Sequence, residues 1–185
     1  MSGGENREKG KLFEHQVAVF MRERGWKPIL GRPFSGKIAL RKHDCDIFAR
    51  KRNWGWSFLM VLCFTLYGAW IFYWFGLLPV ELPREVTPWG IVAGVVLGPF
   101  ALMRSTKYVW VECKCLQQSI KRDLIMKLKD QFRDAVKEVG PWECWLVSTS
   151  RFDEDAVAHA RAHGVRCFQV VEPGGRKMEL REVAI

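Results

Sequence analysis

No Asp, Glu, Lys or Arg occurs between Trp54 and Leu78 of this 185-residue chain, and none between Val86 and Met103. Gaps in charge that long exclude an ordinary solvent-facing segment. As a helix the first stretch, WGWSFLMVLCFTLYGAWIFYWFGLL, is about 37 Å long, enough to cross a bilayer's hydrocarbon core. The second, VTPWGIVAGVVLGPFALM, reaches about 27 Å and spans only with local thinning or a close partner. Acidic residues are also few: 20 Asp and Glu against 29 Lys and Arg leave a net charge of +9. That balance points to an anionic partner, nucleic acid or lipid headgroups. The six cysteines lack the regular spacing of a small secreted scaffold. Cys63 lies inside an apolar run and Cys113 and Cys115 alternate along an expected strand, so they read as reduced thiols in the cytoplasm. The N-terminal MSGGENREKGKLFEHQ has no apolar core, so no cleavable signal or transit peptide is expected.

The two uncharged runs, 54–78 and 86–103, are expected to form a transmembrane helical hairpin. Trp54, Trp56, Tyr73, Trp74 and Trp89 fall near the run ends, where interfacial aromatics sit. Gly90, Gly94 and Gly98 recur every fourth residue, a stripe that lets a neighbouring helix approach. Pro99 is expected to kink or end the second helix early. Arg50, Lys51 and Arg52 precede the first run, and Arg104 and Lys107 follow the second. By the positive-inside rule the protein is a multi-pass protein of the cytoplasmic membrane, with both termini in the cytoplasm and the segment PVELPREVTP outside. The alternative, a hairpin buried in a soluble core, rarely carries uncharged runs of this length.

Removing the hairpin leaves flanks 1–53 and 104–185, which read as two parts of one domain. DCDIFARK and KYVWVECKC alternate as adjacent antiparallel strands. KLFEHQVAVFMRERGW puts Phe13, Val17, Phe20 and Met21 on one helical face, ending at Gly25. SIKRDLIMKLKDQFRDAVKEVGP does the same with Ile120, Leu124, Leu128, Phe132, Val136 and Val139, closed by Gly140 and Pro141. ECWLVST and RCFQVV read as strands around a short helix, DEDAVAHARAHG, that Asp153 caps. Gly174 and Gly175 mark a hairpin before the tail. The fold class is α/β, a three-layer mixed sheet flanked by helices.

Residues two apart in a strand share a face, so Asp44 with Asp46, and Glu112 with Lys114, are expected to project together. Two carboxylates and an ammonium would then converge. Metal-assisted phosphodiester hydrolysis needs that set: hard oxygen ligands for Mg²⁺ or Mn²⁺, an open position for water, and a cation near the developing charge.

These segments together resemble the PD-(D/E)xK nuclease superfamily, most closely its Mrr-like restriction endonuclease branch, with a transmembrane hairpin inserted. GKLFEHQVAVFMRERGW is similar to the family's opening helix, DCDIFAR to its Asp strand, WVECKC to its ExK strand, and WLVSTSRFDEDAVAHARAHGVRCF to its closing segment. The resemblance implies a restriction-endonuclease-like fold and a membrane-anchored, Mg²⁺-dependent endodeoxyribonuclease. It implies Asp46 and Glu112 as metal ligands, assisted by the Cys113 carbonyl, and Lys114 as the residue that positions or activates the attacking water. Asp46 is preferred to Asp44 because it directly precedes the apolar IFA, as the family's aspartate does. Glu14 would hold a second ion or its water, and Gln131 would contact phosphate or water.

Other readings stand beside this one. His43, Cys45, Cys113 and Cys115 offer ligands of zinc type, but alternation puts them on the face opposite the acids, where a small-residue core is the plainer expectation. His15, His159 and His163 are expected on helix surfaces. Lys121, Arg122, Lys127, Lys129 and Arg133 line either a DNA groove or a surface for anionic headgroups. The expected partners are DNA, the bilayer and, as a homodimer, a second copy of the chain. The alternative function is a catalytically inactive nuclease-fold DNA-binding or sensing module at the membrane.

Overall fold

A computed structural model describes residues 3–35, 42–77, 87–116, 118–135, 142–171 and 178–183. The chain opens with helix α1, Gly3–Glu23, which buries Phe13, Val17, Ala18, Phe20 and Met21 on one face. It ends where Gly25 takes φ +80: the Gly25 N–H donates to Arg22 and the Trp26 N–H to Met21, satisfying carbonyls the helix leaves open.

Six strands follow, β1 (Lys27–Ser35), β2 (Lys42–Arg52), β3 (Thr106–Lys114), β4 (Trp142–Ser148), β5 (Val165–Val171) and β6 (Glu179–Glu182), and they stand side by side in that order. β1 with β2 and β5 with β6 are antiparallel, whereas β3, β4 and β5 run parallel, so the sheet is mixed. Before β3 the chain forms α2, Trp54–Trp74, then α3, Thr87–Ile91, a π-helical segment, Val92–Leu97, and α4, Gly98–Arg104. Helices α5, Arg122–Ala135, and α6, Glu154–Ala162, connect the parallel strands. One sheet face packs on α1 through Ile47, Ala49, Val109, Val111, Cys113, Trp145 and Val147. The other carries Cys45, Phe48, Trp110, Cys144 and Leu146 against Ile125, Leu128 and Ala135 of α5 and Ala156 and Ala160 of α6. The domain is therefore α/β, a mixed sheet flanked by helices.

β1 has no counterpart in the sequence reading. Its sequence, KPILGRPFS, holds two prolines and a glycine, which a central strand would reject because proline cannot donate to the ladder. At the sheet edge, where β1 lies, they are tolerated. Asp153 stands at the N-terminus of α6 in extended conformation, as expected, but its side chain makes no capping hydrogen bond. Val136, Val139, Gly140, Pro141, Gly174 and Gly175 lie outside the described residues.

The β1–β2 ribbon is irregular at one position, where it bends. Its register is continuous from Lys27↔Arg50 to Leu30↔Ile47 and again from Arg32↔Cys45 to Ser35↔Lys42, but Gly31 and Asp46 do not pair. Gly31 has φ +58, a conformation that a Cβ would strain. Across this point the faces exchange: Ile47 belongs to the α1 side, whereas Cys45, two residues earlier, is buried on the α5 side. The far half of the ribbon folds over that second face. Phe34 meets Trp110, Phe48 and Trp142 at ring-centroid distances of 5.0, 5.6 and 6.3 Å, and His43 Nε2 lies 2.7 Å from Asp134 Oδ2 of α5.

The described residues divide into two compact units, one within Met1–Lys51, Tyr108–Glu138 and Trp142–Ile185, the other within Arg52–Lys107. In the second unit α2 is long and apolar enough to cross a membrane, by length and composition. It ends at Trp74 rather than running to Leu78, because Gly76 turns left-handed at φ +67 and its N–H and that of Leu77 cap the helix on Tyr73 and Phe72. The helical stretch after the turn is shorter, Pro88–Arg104. Pro99 does not end it. The Gly98 N–H reaches back five residues to the Ala93 carbonyl, and the π-helical turns place Pro99 at the start of α4, where its missing N–H is not needed. Gly90, Gly94 and Gly98 face Trp70, Tyr67 and Phe64 of α2; a Cβ on Gly94 would lie 2.1 Å from the Tyr67 ring.

Gly31→Ala meets no neighbouring atom but must hold the left-handed conformation, so it is expected to lower stability by about 1–2 kcal/mol in urea titration. Gly10→Ala, in helix α1 with nothing within 4 Å, should instead raise it by about 0.5–1 kcal/mol.

Candidate active site

The bend sets Asp46 apart from the regular ladder and turns its carboxylate towards β3. Asp46 Oδ2 accepts a 2.7 Å hydrogen bond from the Cys113 N–H, and Lys114 Nζ donates to Glu112 Oε1, also at 2.7 Å. Glu112 is half-buried with its side chain 13% exposed, and Lys114 is 30% exposed. Glu14, on α1 between the buried Phe13 and Val17, is close enough to act electrostatically on Asp46, Lys114 and Glu112. Four of the residues singled out in the sequence, from three separate segments, therefore meet.

Their charges do not balance. Burial raises the pKa of Glu112, and Asp46 and Glu14 raise it further, against the pull of Lys114. Asp46 is raised by burial despite the Cys113 hydrogen bond and Lys114, with exposed Asp44 adding repulsion. Glu14 is raised by burial and by Asp46. For Lys114 burial acts downwards, but Glu112 and Asp46 outweigh it and the ammonium is held above its ordinary value. Lys114 thus serves all three acids, and Lys11 adds its charge at Glu14 alone.

The end of β3 is tied down by the serine- and threonine-rich end of β4. The Thr149 N–H donates to the Lys114 carbonyl at 3.3 Å, Ser150 Oγ donates to the Leu116 carbonyl, and the buried Ser148 Oγ accepts from the Ser150 N–H. This segment holds Lys114 in place.

The four zinc-type ligands are separated. Cys45 is buried on the α5 side, Cys113 on the α1 side, Cys115 is exposed beyond the end of β3, and His43 is engaged with Asp134. The reversal at Asp46 breaks the simple alternation that had placed them on one face. Among the described residues no group of three or more His, Cys, Asp or Glu is arranged to hold a metal ion. Burial also pushes the Cys45 and Cys113 thiols up, away from thiolate character. The His43–Asp134 pair went unread in the sequence, since its partners are 91 positions apart.

Of the expected nucleic-acid contacts, Lys121, Arg122, Lys127 and Arg133 are exposed, Gln131 is half-buried, and Lys129 Nζ lies 2.9 Å from Nδ1 of His163, the residue just after α6. None has a contact with the acids among the described residues.

The chain matches no known family and no curated protein. A crystal structure of a protein of unknown function, AF1548, superposes with a TM-score of 0.49 and 14% identity, over 85% of this chain and 56% of that one. The chain thus spans a little over half the length of that protein.

Because folding raises the pKa of Glu14, Asp46 and Glu112, the folded state binds their protons more tightly than the unfolded one. Their contribution therefore falls as pH rises from the ordinary carboxylate range through the raised values. Asp46→Asn, which keeps an acceptor for Cys113, and Glu112→Gln should each raise stability at pH 8 by about 1 kcal/mol, about 2–4 °C in Tm. The gain should shrink towards pH 4 in thermal melts.

Proposed function

We propose that this chain is a membrane-anchored, Mg²⁺-dependent DNA endonuclease of PD-(D/E)xK type, with a restriction-endonuclease-like domain held at the cytoplasmic membrane by a two-helix hairpin. The observation that carries the reading is the meeting of Asp46, Glu112 and Lys114 beside Glu14, with all three carboxyls raised by burial and mutual repulsion. Acids gathered at such a cost to the fold are a mark of function.

The donors suit a hard cation. Asp46 Oδ1 and Glu112 Oε2 have no partner among the described residues, and with the Cys113 carbonyl they would offer hard oxygen ligands of the kind Mg²⁺ or Mn²⁺ takes, water completing the set. A cation held there would neutralise phosphate charge and acidify water. The Cys113 N–H fixes Asp46 through one oxygen and would leave the other for a cation. Glu112 holds the Lys114 ammonium, and because Lys114 stays protonated it is suited to orient the attacking water and stabilise charge on phosphate oxygens, not to take a proton. Glu14, whose pKa burial and Asp46 raise, is the acid that would accept one.

Membrane attachment is supported by the 21-residue uncharged α2 with Trp54, Phe58 and Phe72 exposed along it. Guanidiniums stack on rings at the hairpin base: Arg52 over Trp54 at 5.0 Å and Arg104 over Phe100 at 4.8 Å. Such basic and aromatic pairs suit the cytoplasmic interface.

A second reading, a non-catalytic DNA-binding or sensing module, is favoured by one feature. One oxygen each of Asp46 and Glu112 is already taken by Cys113 and Lys114, a network closed without a cation.

In assays of the detergent-solubilised chain on plasmid DNA, Asp46→Asn and Glu112→Gln should reduce Mg²⁺-dependent cleavage on the order of 10²-fold or more while binding persists or tightens. Lys114→Ala should cost a similar factor in turnover without changing the Mg²⁺ concentration for half-maximal rate. Cleavage undiminished by excess chelator overturns the metal reading, and binding without cleavage in Mg²⁺ or Mn²⁺ favours the module.

A cysteine replacing Glu81, in a background without reactive native thiols, should be labelled on intact cells by an impermeant thiol reagent, and one replacing Ser2 should not. Release of the chain by alkaline carbonate would overturn the spans.

A further inference from the structure

We propose that the seam between α5 and α6, where Arg122, Lys129, His159 and His163 gather, seats the phosphodiester backbone of nucleic acid. The inference rests on the DNA-directed reading for the class of ligand, but not on catalysis. Lys129 Nζ lies 2.9 Å from His163 Nδ1, and the His159 and His163 rings are in edge contact at 4.3 Å between centroids. His159 Nε2 is enclosed and has no hydrogen-bond partner. The groups bearing on His159 are Arg122 and Lys129 from α5 and His163 just past the end of α6, all of one sign when charged. None of the four has a carboxylate partner among the described residues.

Cationic groups crowded without a counter-charge repel one another, and an anion laid across them relieves that repulsion. His159 records the strain. Burial, then His163, Arg122 and Lys129, lower its pKa and favour the neutral ring, and an anion laid across the seam would offset that repulsion and favour its protonated form. Arg122 and Lys129 are two helical turns apart, about 10 Å, and His159 and His163 one turn, about 6 Å. That footprint matches two or three phosphates of one strand at about 3.4 Å of axis per charge.

The geometry also separates nucleic acid from lipid. A basic helix lying on a bilayer turns its apolar face into the acyl boundary. In α5 that face is committed to the domain core: Ile125 is 0%, Leu128 3% and Ala135 4% exposed. Apart from Met126, 43% exposed, only charged and polar side chains are exposed on α5, which suits phosphates met edge-on in water better than an acyl boundary.

The test is equilibrium binding of a fluorescent 30-base-pair duplex to the full-length Glu112→Gln chain in detergent and chelator, so that no cleavage intervenes. Lys129→Ala should weaken binding about 3- to 10-fold and lower the salt slope by about one, with Lys129→Arg restoring both. Binding should tighten about threefold or more from pH 7.5 to 6, and His159→Ala/His163→Ala should abolish most of that gain. Because Glu14 and Asp46 also titrate, the comparison is between variants, not between pH values alone. Binding that keeps its strength and pH response in both variants overturns the seam while leaving the nuclease reading intact. A seam that behaves as expected in a chain that never cleaves DNA supports the inference and removes the nuclease. Failure of the parent to bind duplex at either pH, or loss in the variants of binding to anionic vesicles in place of DNA, overturns it.

Discussion

The candidate site depends on one unpaired position in a two-stranded ribbon. Gly31 and Asp46 fall at the one position where the β1–β2 pairing is interrupted, and there the buried side chains change from one face of the sheet to the other. A regular ladder would send Asp46 out of the sheet on a single face. The bend directs it sideways onto the Cys113 N–H, while Phe34 and His43 anchor the folded-over end on Trp110 and Asp134. Irregularities of this kind recur beside active sites because they re-aim one side chain without dismantling the sheet. The same irregularity separates Cys45 from Cys113, so it also removes the zinc-type grouping.

Around that aspartate the domain tolerates an electrostatic imbalance. Trp110, Val111 and Val147 are fully buried close to the acids and leave little water to screen them. Glu112 and Lys114 compensate each other, one backbone N–H compensates Asp46, and Glu14 is offset by the charges of Lys114 and Lys11 with no hydrogen-bond partner among the described residues. A fold selected for stability alone would replace at least one of these carboxyls by an apolar residue. The braces lie elsewhere. Arg166 of β5 joins Glu143 and Glu182 through contacts of 3.1 and 2.6 Å, tying three neighbouring strands on the side of the sheet away from β1.

In the second unit the close fit of helix to helix rests on missing side chains. Trp70, Tyr67 and Phe64 lie against Gly90, Gly94 and Gly98, so three large rings occupy the space three Cβ atoms would take. Packing of this sort needs no hydrophobic driving force between the helices and works in an apolar surrounding. The π-helical turns before Pro99 keep this face continuous past a residue that would otherwise break it.

Much of this was legible in order along the chain. Period and composition are local, so the uncharged runs, the helical face of Phe13, Val17, Phe20 and Met21, and the alternation of VWVECKC could be read directly, and with them the pairing of Glu112 with Lys114 two residues on. The stop of α2 at Trp74 was within reach of the same reading, since Gly76 is a local signal, but the apolar pattern continues past it to Leu78. Non-local effects were not legible. The prolines of β1 argue against a strand until its edge position is known, and the face reversal at Asp46 is set by Gly31 on another strand. The His43–Asp134 pair and the His159 seam require helices to be laid on the sheet and on each other. The sequence by itself determined which elements form and which residue types each presents, because hydrophobic period and backbone propensity act over a few residues. Only the tertiary structure decided which of those residues meet, because a bend of one ribbon and the packing of two helices are set by contacts between segments far apart in the chain.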